Sequence, residues 1–281
     1  MAHDEQLAWE ARAGKPAAVT AFAAALIGFV GGIYLQAAIG GASDAEDYLR
    51  EAERQPADFI ISGILVALGA LMMVPALAYL YRATRYRRPE LMPAALYLAA
   101  LGALTIAVVA LWRYVEITNV AEDFFPFEGA DAEEAAEDEI RDALPAVVQG
   151  VGLGGSIALA FALIMIALNA MRAGLLSRFM GILGIFVGVL LVIPLGVQIL
   201  QLFWFGALGL LLLDRWPGGR GPAWQTGEAI PWPGAAQQRE EVERRRAERA
   251  GVVVEEEAVA EPEPEPEVER PKSRKRRKKK R

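Results

Sequence analysis

The chain has 281 residues, with 29 Lys and Arg against 35 Asp and Glu, and is 54% hydrophobic with a mean hydropathy of +0.27. Apolar content of that order beside 23% charged residues requires the two kinds to be segregated along the chain, which is the pattern of a membrane protein. The lack of cysteine excludes disulfides, thiolate catalysis and cysteine metal sites, and a single histidine, His3, excludes a histidine metal cluster.

Residues 1–16, "MAHDEQLAWEARAGKP", mix Asp4, Glu5 and Glu10 with Arg12 and Lys15 and read as a polar cytoplasmic segment. A secretory signal has a basic start and an apolar core of about 7–15 residues. Here the start is mildly acidic and the apolar run after it is longer, so a retained anchor is expected. Runs without Asp, Glu, Lys or Arg then occupy 17–39, 59–81, 91–112 and 146–171. Each reaches the roughly 20 residues that a spanning helix needs.

The last uncharged run, 179–213, raises a question of count. A single helix over its 35 residues would be about 52 Å long, too much for a hydrocarbon core of about 30 Å even with strong tilt. Pro194, Leu195 and Gly196 near its middle suit a tight turn. The expectation is therefore a hairpin with spans at about 175–193 and 197–213; the rival is one span kinked at Pro194. Loop charge favours the hairpin. Arg82, Arg85, Arg87 and Arg88 follow the second span and Arg172 and Arg178 the fourth, whereas the other two loops are acidic. Lys and Arg in short loops stay cytoplasmic. Both termini are then cytoplasmic, in the plasma membrane, and the basic end of the chain lies inside.

No ionisable residue falls within a span, which argues against an ion-coupled pump and against hydrolysis in the bilayer. Small residues recur at helical spacing: Ala24, Gly28 and Gly32, ahead of Gln36; Gly150, Gly154, Ala158 and Ala162; Gly184 and Gly188. Such stripes let helices approach closely, within the bundle or at a seam with a second copy of the chain. Pro75 is expected to kink the second span and free the carbonyl of Leu71. Gln36, Gln149, Gln198 and Gln201 are expected near the outer helix ends, where they either meet the headgroups or line a polar vestibule for a small neutral solute.

In the first outer loop, Ser43 and Glu46 have the spacing of a capping box opening a short helix, and a second helix is expected from near Asp131. The acidic loops lack a calcium-loop pattern and read as solvated faces. Phe124 to Phe127 either dip into the interface or cover the bundle. Residues 214–234 are rich in Trp, Pro and Gly, with Trp216, Trp224 and Trp232 expected along the inner membrane surface. Residues 235–281 read as a charged, largely disordered cytoplasmic tail. It ends in Arg270, Lys272, Arg274, Lys275, Arg276, Arg277, Lys278, Lys279, Lys280 and Arg281, with no acid among them. A block of this kind is suited to anionic lipid, to a cytosolic protein or ribosome through phosphate neutralisation, or to the tail's own acidic stretch.

Two stretches, "NAMRAGLLSRFMGILGIFVGVLLVIPLG" at 169–196 and "RWPGGRGPAWQTGEAIPWP" at 215–233, resemble uncharacterised multi-pass membrane proteins of high-GC Gram-positive bacteria. The resemblance covers roughly residues 17–233 and implies location and architecture, with no activity or site attached.

The sequence thus specifies an all-α polytopic membrane bundle over 17–213, with six transmembrane helices, or five in the rival count, and a disordered C-terminal tail. It offers no nucleophile–base pair and no cofactor motif. A non-enzymatic protein whose polybasic tail binds anionic lipid or a cytosolic partner is the leading expectation. The alternative is a transporter or channel for a small neutral solute.

Overall fold

A computed structural model describes residues 3–124, 132–193, 198–217, 219–232 and 244. The chain divides into two units, Met1–Trp232 and Pro233–Arg281, and of the second only Arg244 is described. Among the described residues all regular structure is helical: α1 (His3–Ala38), α2 (Ala45–Arg54), α3 (Pro56–Arg87), α4 (Ala94–Phe124), α5 (Ala132–Ala143), α6 (Ala146–Arg172), α7 (Arg178–Leu190), α8 (Gln198–Leu212) and the single turn α9 (Ala223–Thr226).

Four of these helices, α1, α3, α4 and α6, are long and apolar enough to cross a membrane; α7 and α8 are shorter apolar helices. Neighbours in the bundle follow the chain: α1 packs on α3, α3 on α4, α4 on α6 and α6 on α7, while α8 returns to α1. Large side chains such as Val108, Phe161, Phe186 and Ile199 point outward, as expected where the surrounding medium is as apolar as the core. Between the helices alanine and glycine dominate. A Cβ on Gly69 would come within 2.6 Å of the Gly28 Cα, so α1 and α3 cross backbone to backbone. A Cβ on Gly102 would meet the Gly155 carbonyl at 2.6 Å, and α4 crosses α6 in the same way. Of the small-residue stripes, Ala24, Ala162, Gly184 and Gly188 face inward, whereas Gly150 and Gly154 have open space before them.

The fifth apolar run folds back on itself. Were Met180 and Trp204 on one helix, 24 residues would separate them by about 36 Å. Instead the Trp204 indole N–H donates to the Met180 carbonyl at 2.9 Å, and Gly184 lies against the same indole. Ser177 caps α7, its hydroxyl accepting from the Met180 N–H at 3.2 Å. Residues 194–197, where the turn at Pro194–Gly196 is expected, lie outside the described residues.

Beyond the apolar spans the structure has more helix than the charge pattern suggests. α1 begins at His3, so most of the polar N-terminal segment continues the first helix. α4 runs on to Phe124, well past residue 112. Its extension packs with α2 and α5 around Leu49, Phe59, Ile117 and Phe124, so Phe124 covers the bundle; 125–127 lie outside the described residues. The cap of α2 is Asp44, whose side chain accepts from the Asp47 N–H at 2.8 Å, and not the Ser43–Glu46 box. Glu46 is occupied by Arg50 one turn on, and the Ala45 and Glu46 amides donate to Glu133 of α5, both at 3.0 Å. A carboxylate from the other acidic loop thus closes this helix start, which no local spacing could reveal.

Candidate functional site

The most developed polar arrangement lies at the arginine-bearing end of the bundle. In α1, Gln6, Glu10 and Gly14 follow each other at four-residue spacing and share the buried face. In the last turn of α3, Arg87 points to the same place, and its side chain is fully buried. Its guanidinium donates to Glu10 Oε1 at 2.6 Å and Oε2 at 3.0 Å, a bidentate pair. The remaining donors reach the Ala83 carbonyl at 2.9 Å and the Ala223 carbonyl at 2.8 and 3.1 Å. Gln6 donates to Glu10 Oε1 at 2.9 Å and the Tyr79 hydroxyl donates to the Glu10 carbonyl at 3.0 Å.

The Ala223 carbonyl belongs to the Trp/Pro segment after α8, so the ion pair fastens that segment to the bundle. Trp224 is buried beneath it. Its indole N–H donates to the Leu175 carbonyl at 2.9 Å, its ring stacks on Tyr79 at 6.1 Å, and Arg87 and Arg220 lie over its ring at 5.8 and 5.2 Å. Arg220 in turn donates to the Leu211 and Leu212 carbonyls at the end of α8. Gly174 has φ +75°, and a Cβ there would run into the Ile230 carbonyl, so the 173–177 loop receives the segment only because residue 174 is glycine. Every charge here has its partner, and the arrangement holds segments together; it presents no open reactive group. Trp224 is therefore a buried anchor, although Trp216 and Trp232 stay half-buried on the core. Sequence reasoning placed Glu10 in a polar tail and Arg87 in a loop. The signal for Glu10 was there: Gln6, Glu10 and Gly14 continue the inward face of the first span without a break in helical register.

A second arrangement lies in the middle of the bundle. Ala25, Gly28, Val66, Met73, Leu191 and Gln201 contribute to a cavity of about 120 Å³. A larger cavity of about 540 Å³ lies toward the acidic end, with Arg113, Tyr114, Leu144, Gln149 and Ser156 in its wall, and the two share Val66, Ile106 and Leu191. Gln201 sits beside Gly28, where α1 and α3 cross, and its amide makes a long 4.0 Å contact to the Met73 sulfur. Level with Gly28, the centre of the first apolar run, Gln201 stands deep in the bundle, because α7 and α8 are short and bring the start of α8 inward.

The other sequence candidates are dispersed. Gln149 is exposed on the larger cavity and donates to the Leu144 carbonyl at 2.7 Å. Gln36 is exposed near the end of α1, and the Gln198 side chain lies outside the described residues. The basic block Arg270–Arg281 also lies outside them. Among the described residues no three His, Asp or Glu side chains gather closely enough to hold a metal ion.

The apolar helices and their inward-facing small residues define a polytopic helical membrane protein. Residues 17–213 match the family described as a domain of unknown function, DUF4386, and the chain belongs to that family. No curated protein and no solved structure matches it.

Proposed function

We propose that this is a non-enzymatic protein of the plasma membrane with six membrane segments and both termini in the cytoplasm, and that its polybasic terminus binds anionic lipid or a cytosolic partner such as the ribosome. The observation supporting this is the separation of charge between the two ends of the bundle. Arg82, Arg85, Arg172, Arg215 and Arg220 gather at the end where Trp232 closes the first unit, and the acidic helices α2 and α5 lie at the other. Lys and Arg mark the cytoplasmic side. The fold-back of α7 on α8 supports an even count. Their 13 and 15 residues rise only about 20 and 22 Å, so the hairpin returns the chain to its side of entry whether or not it reaches the far surface.

Ten bases near an anionic surface at about 1 kcal/mol each are ample for salt-sensitive attachment. The test pairs reporters active only inside or only outside, fused after Arg281, with deletion of Arg270–Arg281. A cytoplasmic signal and a large loss of binding to phosphatidylglycerol vesicles are expected. An external signal, or binding and partner recovery unchanged by the deletion, would overturn the reading.

A second reading, a transporter or channel for a small neutral solute, is favoured by one observation: the half-buried Gln201 amide lines a mid-bundle cavity, its nitrogen 4.0 Å from the Met73 sulfur. A thioether sulfur is a weak acceptor, and a hydrogen-bonding solute or water in the cavity would satisfy the amide better. Uptake of glycerol or urea into proteoliposomes should fall sharply in Gln201→Leu. Flux that survives both Gln201→Leu and Gln149→Leu would remove the assignment.

A further inference from the structure

On the outside of the seam between α1 and α3 runs an apolar groove of about 440 Å³. Its walls come from one stripe of α1, Trp9, Ala13, Pro16 and Thr20, and one stripe of α3, Pro75, Ala78 and Arg82. Both prolines lie inside their helices. Each removes a backbone donor from its helix, and the two stand on opposite walls of the same groove. From Trp9 to Thr20 it is about 16 Å long at helical rise, close to half of the roughly 30 Å hydrocarbon core, which is the depth of one leaflet.

The mouth of the groove is basic and aromatic. The Arg82 guanidinium lies 4.0 Å from the Trp9 ring centroid. One turn on, Arg85 donates to the Tyr81 hydroxyl at 2.6 Å, and Tyr81 itself borders the groove. Arg12 is exposed three residues after Trp9 on α1. Glu5 lies one turn before Trp9 on the same helix. Trp, Tyr and Arg at a helix end are the groups that settle at the headgroup boundary.

We propose that this groove binds one anionic phospholipid of the inner leaflet, an acyl chain lying between Pro16 and Pro75 and the headgroup phosphate meeting Arg82 and Arg85. The inference rests on the orientation proposed above, with the arginine end cytoplasmic, and is independent of the tail. A depth of one leaflet fits a single chain, and guanidinium forks match phosphate oxygens bidentately.

The test titrates the purified full-length chain with phosphatidylglycerol, and separately with phosphatidylcholine, and counts retained lipids by native mass spectrometry. One phosphatidylglycerol per chain is expected, with phosphatidylcholine not retained. The double variant Arg82→Gln/Arg85→Gln should bind about 30-fold more weakly, corresponding to the ~2 kcal/mol that two surface bases contribute. Ala78→Phe, which fills the groove and leaves the charges, should abolish retention, and helical circular dichroism confirms that each variant is folded. Deleting Arg270–Arg281 should leave the bound lipid in place. Wild-type retention in both groove variants would overturn the proposal, as would loss of the lipid on tail deletion alone, which would instead assign it to the tail.

Discussion

The ion pair between Glu10 and Arg87 sets the stability of the arginine-bearing end of the bundle, and its removal can be worked through group by group. The two side chains are 4% and 0% exposed, so neither charge can turn to water when its partner is lost. In Glu10→Ala, Arg87 keeps the Ala83 and Ala223 carbonyls and loses the bidentate carboxylate. In Arg87→Met, Glu10 is left with Gln6 alone. Breaking one side of a buried pair costs about 3–5 kcal/mol, and that is the expectation for each variant. Arg87→Lys keeps the charge but not the fork that bridges Glu10 to Ala223, so it should recover only part of the loss. Reversible unfolding in mixed micelles, followed by circular dichroism, gives the free energies. A double-mutant cycle of Glu10→Ala with Arg87→Met should show coupling of about 2 kcal/mol or more. Because Ala223 and Trp224 hang on the same guanidinium, cleavage near Glu228–Trp232 by added protease should accelerate in both single variants. Single costs below about 1 kcal/mol, or additive effects without coupling, would refute the account of this cluster as a clasp.

Three further outcomes are expected. Gly69→Ala should destabilise the bundle by about 1–3 kcal/mol, since the new methyl meets the Gly28 backbone, whereas Gly154→Ala, facing open space, should be neutral in the same unfolding assay. Glu133→Ala strips the acceptor from the Ala45 and Glu46 amides and should cost about 1 kcal/mol locally, read as faster hydrogen exchange at those two amides while α3 is unchanged. Burial pushes the Tyr48 phenol above its ordinary pKa; a raised folded value means its contribution is complete below about pH 10 and is lost as pH rises through the folded pKa. The cap formed by α2, α4 and α5 at the acidic end of the bundle should therefore loosen in strongly alkaline solution, and Tyr48→Phe should weaken that dependence.

How much of this was legible in the residues follows from which forces are local. Uncharged runs announce apolar helices because a backbone in hydrocarbon must satisfy its own hydrogen bonds, and α1, α3, α4 and α6 stand on the four runs read first. The fold-back of α7 on α8 is seen in the Trp204–Met180 hydrogen bond; Pro194 and Gly196, where a turn is expected, lie outside the described residues. The Glu10–Arg87 cluster was not legible as a site. Glu10 and Arg87 are 77 residues apart, and each alone looks like the solvated residue its neighbours suggest. The capping carboxylate of α2 comes from 88 residues away, so the nearer Ser43–Glu46 spacing pointed to a cap that the tertiary contact displaces.

The candidate vestibule shows the same boundary between local and tertiary information. Sequence placed Gln201 near the end of its helix; the packing of α7 on α6 and of α8 on α1 decides that this end meets the Gly28–Gly69 crossing. What the sequence determined by itself was the solvent of each segment, because transfer of apolar and charged side chains between water and hydrocarbon is nearly additive along a chain. What only the tertiary structure decided was which polar groups meet: Arg87 with Glu10 and Ala223, Glu133 with the start of α2, Gln201 with the central cavity. A hydrogen bond or ion pair has a direction and a reach of about 3 Å, and only the packing of whole helices brings distant groups within it.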